Sequence, residues 1–166
     1  METALCKICQ LTGVLCRSCE KKLRNGEISQ LDIDVSVFLG QKTKGRKELE
    51  DIEFLNALYI DDHIVLFFKK GDLTKLFKHG RKILDEMKRK FRAKILPVEY
   101  HHDLREFIEG LFYPTTVTAI KTIWLPDGSM ETRILLGERV SKRKARIANM
   151  IAKKVKNVEV KVESIR

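Results

Sequence analysis

Four cysteines within the first 19 residues carry the most specific chemistry in this sequence, arranged as Cys6-Lys7-Ile8-Cys9 and Cys16-Arg17-Ser18-Cys19. Two C-x-x-C pairs separated by a short loop present four thiolates to one tetrahedral metal ion, and soft sulfur ligands suit zinc. Four thiolates fill the coordination sphere and leave no position for a substrate water. The spacing therefore predicts one structural Zn2+ per chain, held by Cys6, Cys9, Cys16 and Cys19. Gly13 makes the reversal between the pairs sterically easy. Lys7, Arg17, Lys21 and Lys22 offset the negative charge of the site. Two disulfides would need an oxidising compartment. Nothing at the N-terminus reads as a secretory signal: Glu2 stands where positive charge is expected, and the cysteines replace the apolar stretch. A redox C-x-x-C has no use for a second pair, and the spacing gives an iron–sulfur cluster no support.

The elements that must position this chemistry belong to a chain of 166 residues with a formal net charge of +10. Its hydrophobic fraction of 43% excludes a wholly disordered chain. The longest apolar run, Ile64-Val65-Leu66-Phe67-Phe68, is far short of the roughly 20 residues that cross a bilayer. The expectation is a cytoplasmic protein with no membrane partner.

The charge is clustered. Residues 1–26 carry +3, 27–62 carry −5, 69–94 carry +8, 95–136 carry −3 and 137–166 carry +7. Two basic segments alternating with acidic ones are suited to polyphosphates, which bind with salt-dependent affinity through counterion release.

Hydrophobic periodicity gives the elements. Ser29 with Asp32 three residues on predicts a capped helix carrying Ile28, Leu31, Val35 and Phe38, ending between Gly40 and Gly45. Residues 53–60 and 63–68 read as strands joined at Asp61-Asp62. A short helix over 73–78, capped by Asp72, leads through His79-Gly80 to a longer helix with Ile83, Leu84, Met87 and Phe91 on one face. A strand over 94–99 follows. The order then begins again: a helix over 103–111, strands over 117–124 and 132–136 around Pro126-Asp127-Gly128, a basic helix over 141–155 and a strand over 158–162. This internal repeat places the basic segments on the same part of both units.

With those residues placed, the chain resembles archaeal NusA-like proteins with tandem KH domains. The helix–strand–strand–helix–helix–strand order resembles a type II KH unit. The specific echoes are the apolar strand running into Lys69-Lys70-Gly71-Asp72, the following Phe77-Lys78-His79-Gly80-Arg81-Lys82-Ile83, and Leu125-Pro126-Asp127-Gly128-Ser129. The four-cysteine module followed by Gly26-Glu27-Ile28-Ser29-Gln30-Leu31-Asp32 is similar to a zinc-bearing subgroup of these proteins. The resemblance implies an α+β fold: a zinc module at 1–26 and two αββααβ KH-like units at 27–100 and 101–166. A KH unit clamps RNA backbone at a G-x-x-G loop between two helices. The matching tetrapeptides are Phe77-Lys78-His79-Gly80, with one glycine, and Ser141-Lys142-Arg143-Lys144, with none.

Side-chain charge therefore takes over as the expected means of holding phosphates. In the first unit Lys75, Lys78, Arg81 and Lys82 surround Gly80. In the second, Lys142, Arg146, Asn149 and Lys153 recur on one helical face, joined by Arg143 and Lys144, and no acid lies between Arg139 and Lys156. Phe77, where the family has glycine, is expected to pack inward. No catalytic arrangement is present: His101-His102-Asp103 are adjacent rather than convergent, and Asp103 reads as a helix cap. The expectation is an RNA-binding protein and not an enzyme, with no small-molecule substrate. Its RNA is single-stranded or ribosomal, and its larger partner is RNA polymerase or the ribosome. The resemblance implies a role in transcription. Ribosome association and a protein–protein adaptor are the alternatives.

Overall fold

Ser29 and Asp32 form the reciprocal cap that their spacing predicts, and the helix they open (α3, Gln30–Thr43) organises the first half of the chain. The computed structural model describes residues 1–164. It divides into two compact units, Met1–Tyr100 and His101–Arg166; residues 165 and 166 of the expected second KH-like unit lie outside the described residues. The fold is α+β with two three-stranded sheets, and residues 1–26 and 27–100 fall within one unit.

In the first unit each cysteine pair opens a short helix, α1 (Lys7–Thr12) and α2 (Arg17–Arg24). After α3 come β1 (Phe54–Ile60) and β2 (His63–Phe68), then α4 (Asp72–His79), α5 (Arg81–Phe91) and β3 (Lys94–Glu99). β1 pairs antiparallel with β2 across the Asp61-Asp62 turn, and β2 pairs parallel with β3, Ile64 opposite Ile95 and Phe67 opposite Val98. A parallel pair needs a crossover, which α4 and α5 supply. Phe54, Ile64, Leu66 and Phe68 pack with Val35, Leu39, Leu76, Ile83 and Met87 in one core.

Asp32 does more than cap its helix. One carboxylate oxygen accepts the Ser29 N–H at 2.7 Å and the Ser29 hydroxyl at 2.9 Å, while the other accepts the buried Ala57 N–H at 2.7 Å. That contact falls beside an irregularity in the β1 register between Phe54 and Asn56, so the carboxylate satisfies a strand N–H and ties α3 to the sheet. The cap of α4 differs from the expected one. Asp72 lies inside the helix and accepts the Glu53 N–H at 2.8 Å. Glu99, from the end of β3, accepts the N–H groups of Gly71 and Leu73 at 3.1 and 3.2 Å. A cap delivered across 26 residues leaves no local signature.

The second unit repeats this plan with α6 (Leu104–Phe112), β4 (Val117–Trp124), β5 (Met130–Leu136), α7 (Lys142–Lys156) and β6 (Val160–Ser164). β4 and β5 are antiparallel, β5 and β6 parallel, and a register irregularity recurs near the start of β4. One helix is missing from the expected αββααβ order: residues 137–140 form a bend before Ser141 caps α7 through the Lys144 N–H at 3.1 Å. Gly137-Glu138-Arg139-Val140 holds a single large apolar side chain, too little for a helix to bury. β6 begins two residues later than expected. Asn157 takes a left-handed conformation (φ 52°) that closes α7 and draws the next residues into the turn.

Removing the Asp32 carboxylate orphans a buried strand N–H and a helix cap together. Asp32→Ala should lower the stability of the first unit by about 2–4 kcal/mol, read as a reduced urea midpoint with an unchanged slope.

Candidate metal centre and nucleic-acid interface

The two cysteine pairs are built alike. Cys6 and Cys16 are the extended residues that open α1 and α2, and both are exposed; Cys9 and Cys19, one turn in, are buried. Sequence reasoning placed the ligands but missed these helices, which at six and eight residues are too short for periodicity to reveal. Gly13 ends α1 in the left-handed region at φ 74°, as the expected reversal requires. The four sulfur atoms all lie within 4.8 Å of one another. A zinc–thiolate tetrahedron with bonds of about 2.3 Å has edges of about 3.8 Å, so donor set and spacing fit one tetrahedral ion. The four cysteines could hold a metal ion.

Backbone N–H groups are aimed at the sulfurs. The Cys16 N–H lies 3.1 Å from Cys9 Sγ. The Cys9 N–H beside Cys6 lowers the Cys6 pKa, and the Cys19 N–H beside Cys16, helped by the neighbouring thiols, lowers that of Cys16 to about 7. Burial pushes Cys9 up to about 12 and raises Cys19. Two sulfurs thus favour the thiolate, while the two buried ones pay desolvation that a bound cation would offset. The module is anchored to the rest of its unit. Leu5, Cys9 and Cys19 pack with Ile28 and Ile33, and α1 crosses α3 so closely that a Cβ on Gly40 would meet Gln10 Cβ at 2.7 Å.

In the first unit, Lys75 and Lys78 lie on α4, Arg81 and Lys82 in the first turn of α5, and Gly80 at the junction. The four cations are exposed and make no ion pair among the described residues. The acids that follow are engaged: Asp85 with Lys88 at 3.2 Å, and Glu86 with Lys42 of α3, which holds the Glu86 carboxyl below its ordinary range. Gly80 is explained by packing. A Cβ there would meet Leu76 Cδ1 at 2.8 Å and the Leu76 carbonyl at 2.9 Å, and its own N–H bonds that carbonyl at 2.7 Å. Phe77 does not pack inward as expected. It is 39% exposed, and its neighbour Leu76 fills the core beneath the junction instead.

In the second unit, Lys142, Arg143, Arg146 and Lys153 are exposed on α7. Lys144 and Asn149 of the expected basic face join the helix to its neighbours. The Lys144 ammonium donates to the Phe112 and Tyr113 carbonyls at 3.1 and 3.4 Å, capping the end of α6. The Asn149 side-chain oxygen accepts the Val160 N–H at 2.7 Å, joining α7 to β6. A groove of about 460 Å³ runs between α7 and β6, with Arg146 and Asn149 on one side and Val160, Lys161 and Arg133 on the other. Sequence reasoning missed Arg133 and Lys161; the parallel register makes them neighbours, and no sequence pattern states that register. Both pair with Glu131, at 2.7 and 2.6 Å, and hold its carboxyl below the ordinary range, with Lys161 the larger influence.

Among the described residues no helix is long and apolar enough to cross a membrane. No family model matches the chain. Over 114 residues it is 22% identical to a curated protein of Thermoplasma acidophilum named probable transcription termination protein NusA, covering 69% of this chain and 74% of that one. A solved structure, that of APE1850, is 16% identical over 63% of this chain and 79% of its own, with a TM-score of 0.49.

Three substitutions test the site. Cys9→Ser should reduce bound metal from about one ion per chain to near none, measured by elemental analysis of protein prepared without chelators. Lys144→Ala should lower the melting temperature of the second unit by several degrees, about 1 kcal/mol, whereas Lys142→Ala should leave it unchanged.

Proposed function

We propose that this chain is an RNA-binding protein of the transcription apparatus, in which two type II KH-like units hold RNA phosphates and a structural zinc ion stabilises the N-terminal module. The observation that carries this reading is a repeated one. The helix leading into the parallel strand opens with adjacent cations in both units, Gly80-Arg81-Lys82 on α5 and Ser141-Lys142-Arg143 on α7. Helix N-termini favour anions, and a cation in the first turn is disfavoured by roughly 0.3–1 kcal/mol. Neither helix carries an acid there. A bound phosphate relieves that conflict at both sites, accepting first-turn N–H groups and cationic side chains together. The distant likeness to a protein named for transcription termination, and the G-x-x-G-like tetrapeptide at the α4–α5 junction, support the same reading.

A binding role, not catalysis, also suits the only histidine cluster. Asp103 caps α6 through the Glu106 N–H at 2.9 Å, and His101 faces Glu106 at 3.2 Å. The soft, four-sulfur donor set favours zinc among the common cellular metals. RNA polymerase is the proposed larger partner. With one glycine left in the first tetrapeptide and none in the second, binding is proposed to rest on charge more than on base readout.

RNA affinity should fall steeply with salt and vary little among single-stranded sequences. Lys142→Glu with Lys153→Glu and Lys78→Glu with Arg81→Glu change the charge equally. Each pair should weaken binding by about fivefold or more at low salt, with the larger loss on α7. The check is a fluorescence anisotropy titration against single-stranded RNA. Absence of binding to any RNA would turn the assignment to a protein adaptor. Salt-sensitive cosedimentation with ribosomes, in place of copurification with RNA polymerase, would turn it to a ribosome-associated role.

A further inference from the structure

The tip of the cysteine module presents apolar surface that the fold does not use. Ile8 is 72% exposed, Val14 71% and Leu11 40%. Ile8 and Leu11 are three residues apart on α1, whose opposite side packs Cys9 and Gln10 inward. The left-handed Gly13 then turns the chain so that Val14 follows directly beyond the last turn. Three large aliphatic side chains in seven residues, exposed beside exposed Cys6 and Cys16, make a patch rather than scattered surface hydrophobics.

The charges around the patch select its occupant. Lys7 adjoins Ile8, and Arg17 and Lys21 lie one turn apart on α2; all three are exposed and make no ion pair among the described residues. The one acid of α2, Glu20, is paired with Arg24 at 3.2 Å. RNA fits this patch poorly, because bases stack on aromatic rings and the patch is aliphatic. A second copy fits poorly as well, because a two-fold contact through this face would bring two rims of the same positive sign, each with Lys7, Arg17 and Lys21, together. We infer that the outer face of the cysteine module docks a protein whose contact surface is apolar and edged with Asp and Glu. Ile8 and Val14 serve as the buried anchors, and Lys7, Arg17 and Lys21 as a charged rim that sets orientation and association rate.

The test uses the full chain, metal-loaded, with the photo-crosslinker p-benzoylphenylalanine in place of Ile8 or of Val14, expressed in cells and irradiated. Metal content and RNA affinity, measured on the same preparations, show that the chain is folded and keep this inference separate from the RNA-binding one. The expected result is one crosslinked protein common to both positions, with the attachment mapped by mass spectrometry to apolar residues next to Asp or Glu. Adding Lys7→Glu and Arg17→Glu should then lower the yield by about fivefold or more. The inference is overturned by crosslinks chiefly to RNA or to a second copy. It is equally overturned by an attachment site without acids, by a yield that the charge reversals do not change, or by a yield no higher than from the same probe in place of the exposed Glu48.

Discussion

A strand that pairs in parallel with its predecessor cannot be reached by a turn, and the architecture of both units follows from that constraint. β2 and β5 each finish at one end of their strands, and the chain must return to the opposite end before the parallel β3 or β6 can begin. A helical crossover is the compact way to do so, and it fixes where α5 and α7 start. The first turns carrying Arg81, Lys82, Lys142 and Arg143 are thereby placed beyond the ends of strands whose side chains fill the cores. The cationic face is therefore a product of topology. What differs is the length of the crossover, two helices in the first unit and a bend with one helix in the second. Only the first unit's crossover consequently contains a helix–helix junction, made at the buried Gly80.

The cysteine module obeys a different constraint. It has little core of its own, a few side chains around Leu5, Cys9 and Cys19, and segments of this size depend on a metal or a neighbour. It has both. The sulfurs converge within bonding range of one ion. α1 also lies against α3 at a crossing that only a glycine at position 40 permits. Metal ligation and helix packing are coupled through Cys9 and Gln10, adjacent residues on the buried side of α1. An ion held by the four sulfurs would therefore also steady the contact that Gly40 makes possible, beyond the first 26 residues.

Much of this was legible in sequence because it is local. The Ser29–Asp32 cap, the Asp61-Asp62 hairpin, the apolar stripes of α3, α5, α6 and α7, and the ligand cysteines all declare themselves within a few residues. What escaped depends on contacts between distant residues or on segments too short to show a period. Glu99 caps α4 from the far end of β3. α1 and α2 are stretches of two turns or so that stand because the sulfurs and α3 hold them. Leu76 rather than Phe77 fills the space under Gly80, a choice between neighbours that differ only in which way the last turn of α4 points them. The β6 start moved because an asparagine took a conformation that propensity permits but does not require.

The same distinction sorts the basic residues by role. Lys142 and Lys144 are two positions apart on α7 and look equivalent in sequence, yet their Cβ atoms point to different sides of the helix. Lys144 is directed at the carbonyls that end α6, where an ammonium satisfies acceptors the helix leaves unpaired. Lys142 faces water. Arg133 and Lys161 are paired with Glu131, and Arg133 also with Glu163, so they add little net field to the groove they line. Net charge over residues 137–166 therefore overstates what this surface offers an anion. The exposed positive charge is concentrated in fewer places than the count suggests, chiefly Lys142 in the first turn of α7 and Lys153 and Lys154 in its later turns. The first unit reaches a similar result by another route: its acids Asp85 and Glu86 are occupied by Lys88 and Lys42, which leaves the cations at the α4–α5 junction unopposed. In the first unit the fold has paired its acids elsewhere and left the helix N-terminus positive, and in the second it leaves Lys142 exposed there. A cation at a helix N-terminus is a local electrostatic conflict of the kind that a nearby anion relieves.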